Sequence, residues 1–186
     1  MNQTLQLSTD SINGVQLRVT FARETDRWSH VVERIQADQT TTVLSSIEGT
    51  ADDDWPPSPP LQELSVHDLG NVQAILGVGM AGVGHWSISC TVDGPALKFE
   101  LACLVKDKDQ LTSLAKDQLG SRYQSSADCE SGLELLALTE DVAKPTWATD
   151  LAQLQNEEQG EQIFRPQQLS TSGTVATRWA YQIRVA

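Results

Sequence analysis

The chain has 186 residues, 13 of them basic and 25 acidic, giving a formal net charge of −12 and a pI near 4.5. With 39% hydrophobic residues, 20% charged residues and a mean hydropathy of −0.29, it is too apolar for a disordered chain and long enough to bury one core. The acidic balance excludes a nucleic-acid backbone as partner, and no apolar run of about 18 residues exists to cross a membrane as a helix.

The opening Met1-Asn2-Gln3-Thr4-Leu5-Gln6 has neither a basic nor an apolar stretch, so no secretory leader and a cytoplasmic location are expected. Three cysteines (Cys90, Cys103 and Cys129) without a CxxC pair fit a reducing compartment better than a disulfide framework. The first strand signal is Val15, Leu17, Val19 and Phe21 alternating with Gln16, Arg18, Thr20 and Ala22. Trp28–Ile35 and Thr40–Ile47 flank the polar turn Gln36-Ala37-Asp38-Gln39 and read as a hairpin. The stretch from Glu48 through Asp52, Asp53, Asp54 and Trp55 is the densest acid cluster. It lacks the spacing of an EF-hand loop, so a solvated turn is the plainer reading. Pro56-Pro57-Ser58-Pro59-Pro60 makes residues 55–60 a stiff connector, although Pro56 and Pro59 also satisfy PxxP.

Val72–Met80 is a strand expected to be buried on both faces. Its end, Gly77-Val78-Gly79-Met80-Ala81-Gly82, matches GxGxxG. A dinucleotide site needs a helix after the glycines, whereas His85 to Val92 alternates as a strand. The glycines are therefore read as allowing close packing or a sharp corner, and no cofactor is assigned. Trp86, Ile88, Cys90 and Val92 form the apolar face of that strand, opposite His85, Ser87, Ser89 and Thr91. Asp93-Gly94 turns it into a strand whose inner face is Leu97, Phe99, Leu101, Cys103 and Val105. A helix is expected from Asp107 or Asp109 to Gly120, followed by a polar loop over residues 120–132. Leu133–Leu138 and Gln162–Arg165 are short strands, Asp150 to about Glu158 is a second short helix, and Val175–Val185 is a long alternating strand.

Together these elements predict a mainly all-β chain over residues 1–186. The form is one antiparallel β-sandwich or flattened barrel of about nine strands with one or two short helices. No GxSxG elbow, paired metal-ligand spacing or isolated carboxylate couple marks a catalytic or metal centre. The candidate binding surface joins Asp52, Asp53, Asp54 and Trp55 to His85 at the glycine corner, and to His30 if its strand neighbours that of His85. Trp28, Trp55 and Trp147 lie in or near polar segments and are candidates for exposed anchors, whereas Trp86 and Trp179 read as core. The functional expectation is a non-catalytic binding or assembly domain for a protein or small-molecule partner, with a homo-oligomer open. The alternative is a metalloprotein or enzyme of the same fold, in which His30 and His85 converge. A self-associating protein, with residues 174–185 exposed at a sheet edge, is the third class.

Overall fold

The structure is a computed structural model that describes residues 3–70, 72–106, 118–126, 132–138, 152–157, 160–166 and 175–186. These residues form thirteen strands in two antiparallel sheets. The first sheet runs, in spatial order, β1 (Thr4–Ser8), β2 (Val15–Arg23), β3 (Trp28–Gln36), β4 (Gln39–Ser46), β9 (Ser121–Ser125), β12 (Glu161–Pro166) and β11 (Ala152–Glu157). The second runs β10 (Leu133–Ala137), β13 (Val175–Val185), β8 (Ala96–Val105), β7 (Gly84–Asp93), β6 (Gln73–Ala81) and β5 (Glu63–Asp68). Both sheets have open margins, so the architecture is a sandwich and not a closed barrel.

Period-2 alternation builds the core. Val15, Leu17, Val19 and Phe21 of β2 are buried while their polar neighbours are partly exposed. Trp86, Ile88 and Cys90 of β7 meet them from the other sheet with Leu97, Phe99, Leu101 and Cys103 of β8, all in one apolar cluster. Burying each such side chain contributes roughly 1.5–3 kcal/mol, so the alternation fixes which face of each strand turns inward. The β3–β4 hairpin turns at Ala37 and Asp38, with φ of 47° and 65°, the pattern of a type I′ turn. Between Val32 and Glu33 the register slips by one residue, and both Val43 and Leu44 of β4 become buried.

Several elements differ from the sequence reading. Residues expected to form a second helix near 150–158 instead contain β11, paired along its length with β12. The polar loop expected at 120–132 contains β9, because Ser121 and Tyr123 turn inward. β1 and β5 were not expected. β6 is not buried on both faces: Val78 and Met80 are each 51% exposed. The helix expected after Val105 lies, apart from its last residues, outside the described residues, as do Cys129 and Trp147. β13 lies between β10 and β8, so it is an interior strand and not a free edge.

Candidate functional site

His30 projects from β3 into the space between the sheets. Its ring lies between Phe21 and Phe99, with centroid distances of 4.9 and 5.8 Å. Its Nε2 hydrogen-bonds Tyr123 Oη at 2.8 Å, and that hydroxyl meets Tyr181 Oη at 2.6 Å. Tyr181 in turn stacks on Phe164 at 3.9 Å and on Phe99 at 5.0 Å. Beside it, Trp179 Nε1 donates to Ser121 Oγ at 3.0 Å. These contacts tie β3 and β9 of one sheet to β13 of the other through polar atoms shielded from water.

The Nδ1 atom of His30 has no hydrogen-bond partner and faces Glu48 Oε1 at 3.8 Å. Glu48 accepts a hydrogen bond from Ser46 Oγ, and its main-chain carbonyl accepts one from buried Arg27 at 3.1 Å. Burial holds the His30 imidazole down to about 3 and lifts the Glu48 carboxyl to about 7, because each charged form loses its hydration. Burial, and then the adjacent Tyr181, raise the Tyr123 phenol as well. The neutral His30 imidazole and Tyr123 phenol, enclosed by aromatic rings, order the core between the sheets.

The acidic stretch and the glycine corner do come together. Asp53 turns back on its own loop, accepting from Thr50 N at 2.6 Å and Thr50 Oγ1 at 3.0 Å, which holds its carboxyl low. Asp52 and Asp54 are exposed. Trp55 packs edge-on against Trp86 at 5.8 Å. Pro56, Ser58, Pro59 and Pro60 are buried, so the proline segment is a connector laid on the body and does not present PxxP. The connector passes so close to β6 that a Cβ on Gly79 would lie 1.6 Å from the Pro60 carbonyl oxygen. A Cβ on Gly82, which has φ +51°, would lie 2.9 Å from that of Asp54. The GxGxxG residues therefore make room for a neighbouring backbone. Gln62 completes the seam: its Oε1 accepts from Met80 N at 3.0 Å and its Nε2 donates to Met80 O at 3.1 Å. A side-chain amide thus takes the place of a neighbouring strand.

Above this seam, on the outer face of the second sheet, lies a groove of about 450 Å³. Its lining includes Glu63, Val78, Met80, His85, Ala102 and Leu104. Strand register puts these side chains side by side, since Met80 pairs with His85 and His85 with Leu104. Val78 pairs with Ser87 and Ser87 with Ala102. The sequence reading identified His85 but missed Val78, Met80 and Leu104. The available signal was parity: in Gly77-Val78-Gly79-Met80, the residues between the glycines share one face.

His30 and His85 do not converge, because one points into the core and the other onto the outer face of the opposite sheet. The alternative reading, in which His30 and His85 meet in one metal or catalytic site, is therefore not met. Trp28 is likewise a core residue, 3% exposed, and not a surface anchor. Among the described residues, no group of three or more His, Cys, Asp or Glu side chains is placed to hold a metal ion. Cys90 and Cys103 are buried, and burial pushes the Cys103 thiol up to about 12 and the Cys90 thiol up as well. No helix among these residues is long and apolar enough to cross a membrane. Comparison of the chain with known protein families, curated proteins and solved structures finds no match.

Proposed function

We propose that the chain is a non-catalytic binding or assembly module of the cytoplasm, and that the outer groove seats an apolar side chain of a partner protein. The observation that carries this reading is the half-exposed pair Val78 and Met80, at 51% each, beside Leu104 at 36%. An apolar patch gathered on so acidic a chain is the kind of surface that partners cover. His85 supplies polar ring atoms at the groove, which orient an occupant. Glu63 in the groove lining, with Asp54 near the corner, favours a partner that carries a basic residue beside its apolar anchor. The buried thiols and the closed surroundings of His30 support a non-catalytic role.

A photoreactive amino acid at position 80 tests the reading in cells, with position 38 at the far hairpin turn as control. The expected result is a discrete cross-linked protein from position 80 that is absent from position 38. Leu104→Asp is expected to abolish it without changing the circular dichroism or the melting temperature by more than about 2 °C, a surface-scale effect. Equal labelling from both positions, or no product from position 80, overturns the proposal.

A further inference from the structure

β5 ends the second sheet, and among the described residues nothing pairs with its outer side. Five of its six residues are exposed, and Val66 on its inward-facing parity is 46% exposed. The strand contains neither lysine nor proline, the residues that usually discourage pairing at an open edge.

The phase of its hydrogen bonds is fixed by the turn that follows. Leu69 N donates to Val72 O at 2.9 Å, and the same register runs through Glu63↔Val78. Glu63, Ser65 and His67 therefore direct their main-chain groups to β6, and Leu64, Val66 and Asp68 direct theirs to the open side. A second β5 running antiparallel can meet these groups only in registers that place Leu64, Val66 and Asp68 opposite one another.

We propose that β5 pairs with β5 of a second copy about a two-fold axis at Ser65, joining the two six-stranded sheets into one. In that register Leu64 lies opposite the second copy's Val66, and Glu63 lies opposite its His67. Apolar faces apolar and acid faces imidazole, each twice by symmetry. Moving the axis to Val66 sets Leu64 against Asp68, and moving it to Leu64 sets Val66 against Gln62. Each alternative keeps one apolar pair on its axis but sets another apolar side chain against a polar one and takes Glu63 away from His67. β1, which ends the first sheet, has no charged residue to fix a register, and its Leu7 is already buried at 5% exposure. The proposal does not depend on what the groove binds.

Sedimentation equilibrium of the full chain provides the test. Wild type is expected to show a concentration-dependent monomer–dimer equilibrium. Val66→Pro removes an N–H that points to the open side, so it spares the ladder to β6 and should raise the dimer Kd by roughly tenfold or more. Glu63→Lys should weaken the dimer, and adding His67→Glu should restore it, which guards against a Val66→Pro variant that fails to fold. Ser65→Cys in a Cys129→Ser background should form an intermolecular disulfide under mild oxidation, because a non-hydrogen-bonded pair holds its Cβ atoms about 4.5–5.5 Å apart. A monomer at every concentration, a dimer indifferent to Val66→Pro or the charge exchange, or a disulfide from Val66→Cys in place of Ser65→Cys overturns the proposal. Leu104→Asp should leave the dimer intact, so failure of the groove reading is distinguishable from failure of this one.

Discussion

A methyl group at position 79 would land 1.6 Å from the Pro60 carbonyl oxygen, and backbone on both sides leaves it nowhere to go. Gly79→Ala is expected to lower stability by about 3 kcal/mol, at the upper end of the usual overpacking range, in a urea titration monitored by tryptophan fluorescence. A cost below about 0.5 kcal/mol, the scale of a neutral surface change, would mean that the connector does not lie on β6. Glu48 makes the opposite kind of prediction, one about pH. Its carboxyl titrates at about 7 in the folded chain against 4.5 unfolded. The unfolded state therefore loses its proton first. The stability this group contributes is complete below pH 4.5, declines as pH rises and is gone above about 7, a span of about 3 kcal/mol. Glu48→Gln removes that dependence, so the variant should out-melt wild type at pH 8 and lose its advantage at pH 4.5. A constant difference between the two melting temperatures across that range would refute the buried, neutral carboxyl. His30 moves the other way, since its neutral form is the buried one and stability falls as pH drops from 6.5 towards 3. Much of this was out of reach of the sequence. Parity placed His30 on the face of Trp28 and Val32, but its partner Tyr123 is 93 residues away and Tyr181 a further 58. Local patterning carries no information across such a separation.

At the scale of elements, alternation worked where one face is covered and the other wet. β2, β7, β8 and β13 all follow it. It failed at β5, where only Leu64 is partly buried, and at β9, where only Ser121 and Tyr123 point inward along a polar five-residue segment. It also failed at β11, where the leucines of Leu151-Ala152-Gln153-Leu154 suggested a helical spacing but pairing with β12 decided the outcome. Tertiary pairing overrides weak local preference in such short segments. The hairpin of β3 and β4 was legible, yet its turn residues are poor choices. Ala37 and Asp38 both sit at positive φ, where most L-residues are strained by roughly 1–2 kcal/mol. Asn and Gly are the preferred pair for this turn. Combining Ala37→Asn with Asp38→Gly should therefore stabilise the chain by about 1 kcal/mol, or about 2–4 °C in a calorimetric scan. An unchanged or lower melting temperature would show that the turn does not adopt the I′ geometry.

At the scale of the whole molecule, 25 acids and 13 cations cannot neutralise one another. Arg18–Glu33, Arg122–Glu161 and Arg184–Glu134 are pairs on the surface or at its margin, and each leaves the surplus untouched. The same acidity shaped how much of the site could be read. Glycine, proline and tryptophan at residues 52–60 and 77–86 marked two places where the backbone is special, and the structure joins them at Trp55, Trp86 and Gly79. The groove itself was hidden because exposed apolar residues on β6 look, in one dimension, like buried ones. Surplus charge also bears on the acidic loop. Asp53 is committed to Thr50, so Asp52 and Asp54 act as part of a general negative field and not as a cation cage. Raising NaCl from about 0.02 to about 0.3 M at neutral pH screens that field and should raise the melting temperature by about 2–4 °C. Calcium at about 1 mM, compared at matched ionic strength, should add nothing further, because a specific site needs several converging oxygen ligands. Extra stabilisation by calcium alone, abolished by Asp52→Asn with Asp54→Asn, would instead make the loop a cation site. Destabilisation by NaCl would mean that the few ion pairs outweigh the surplus.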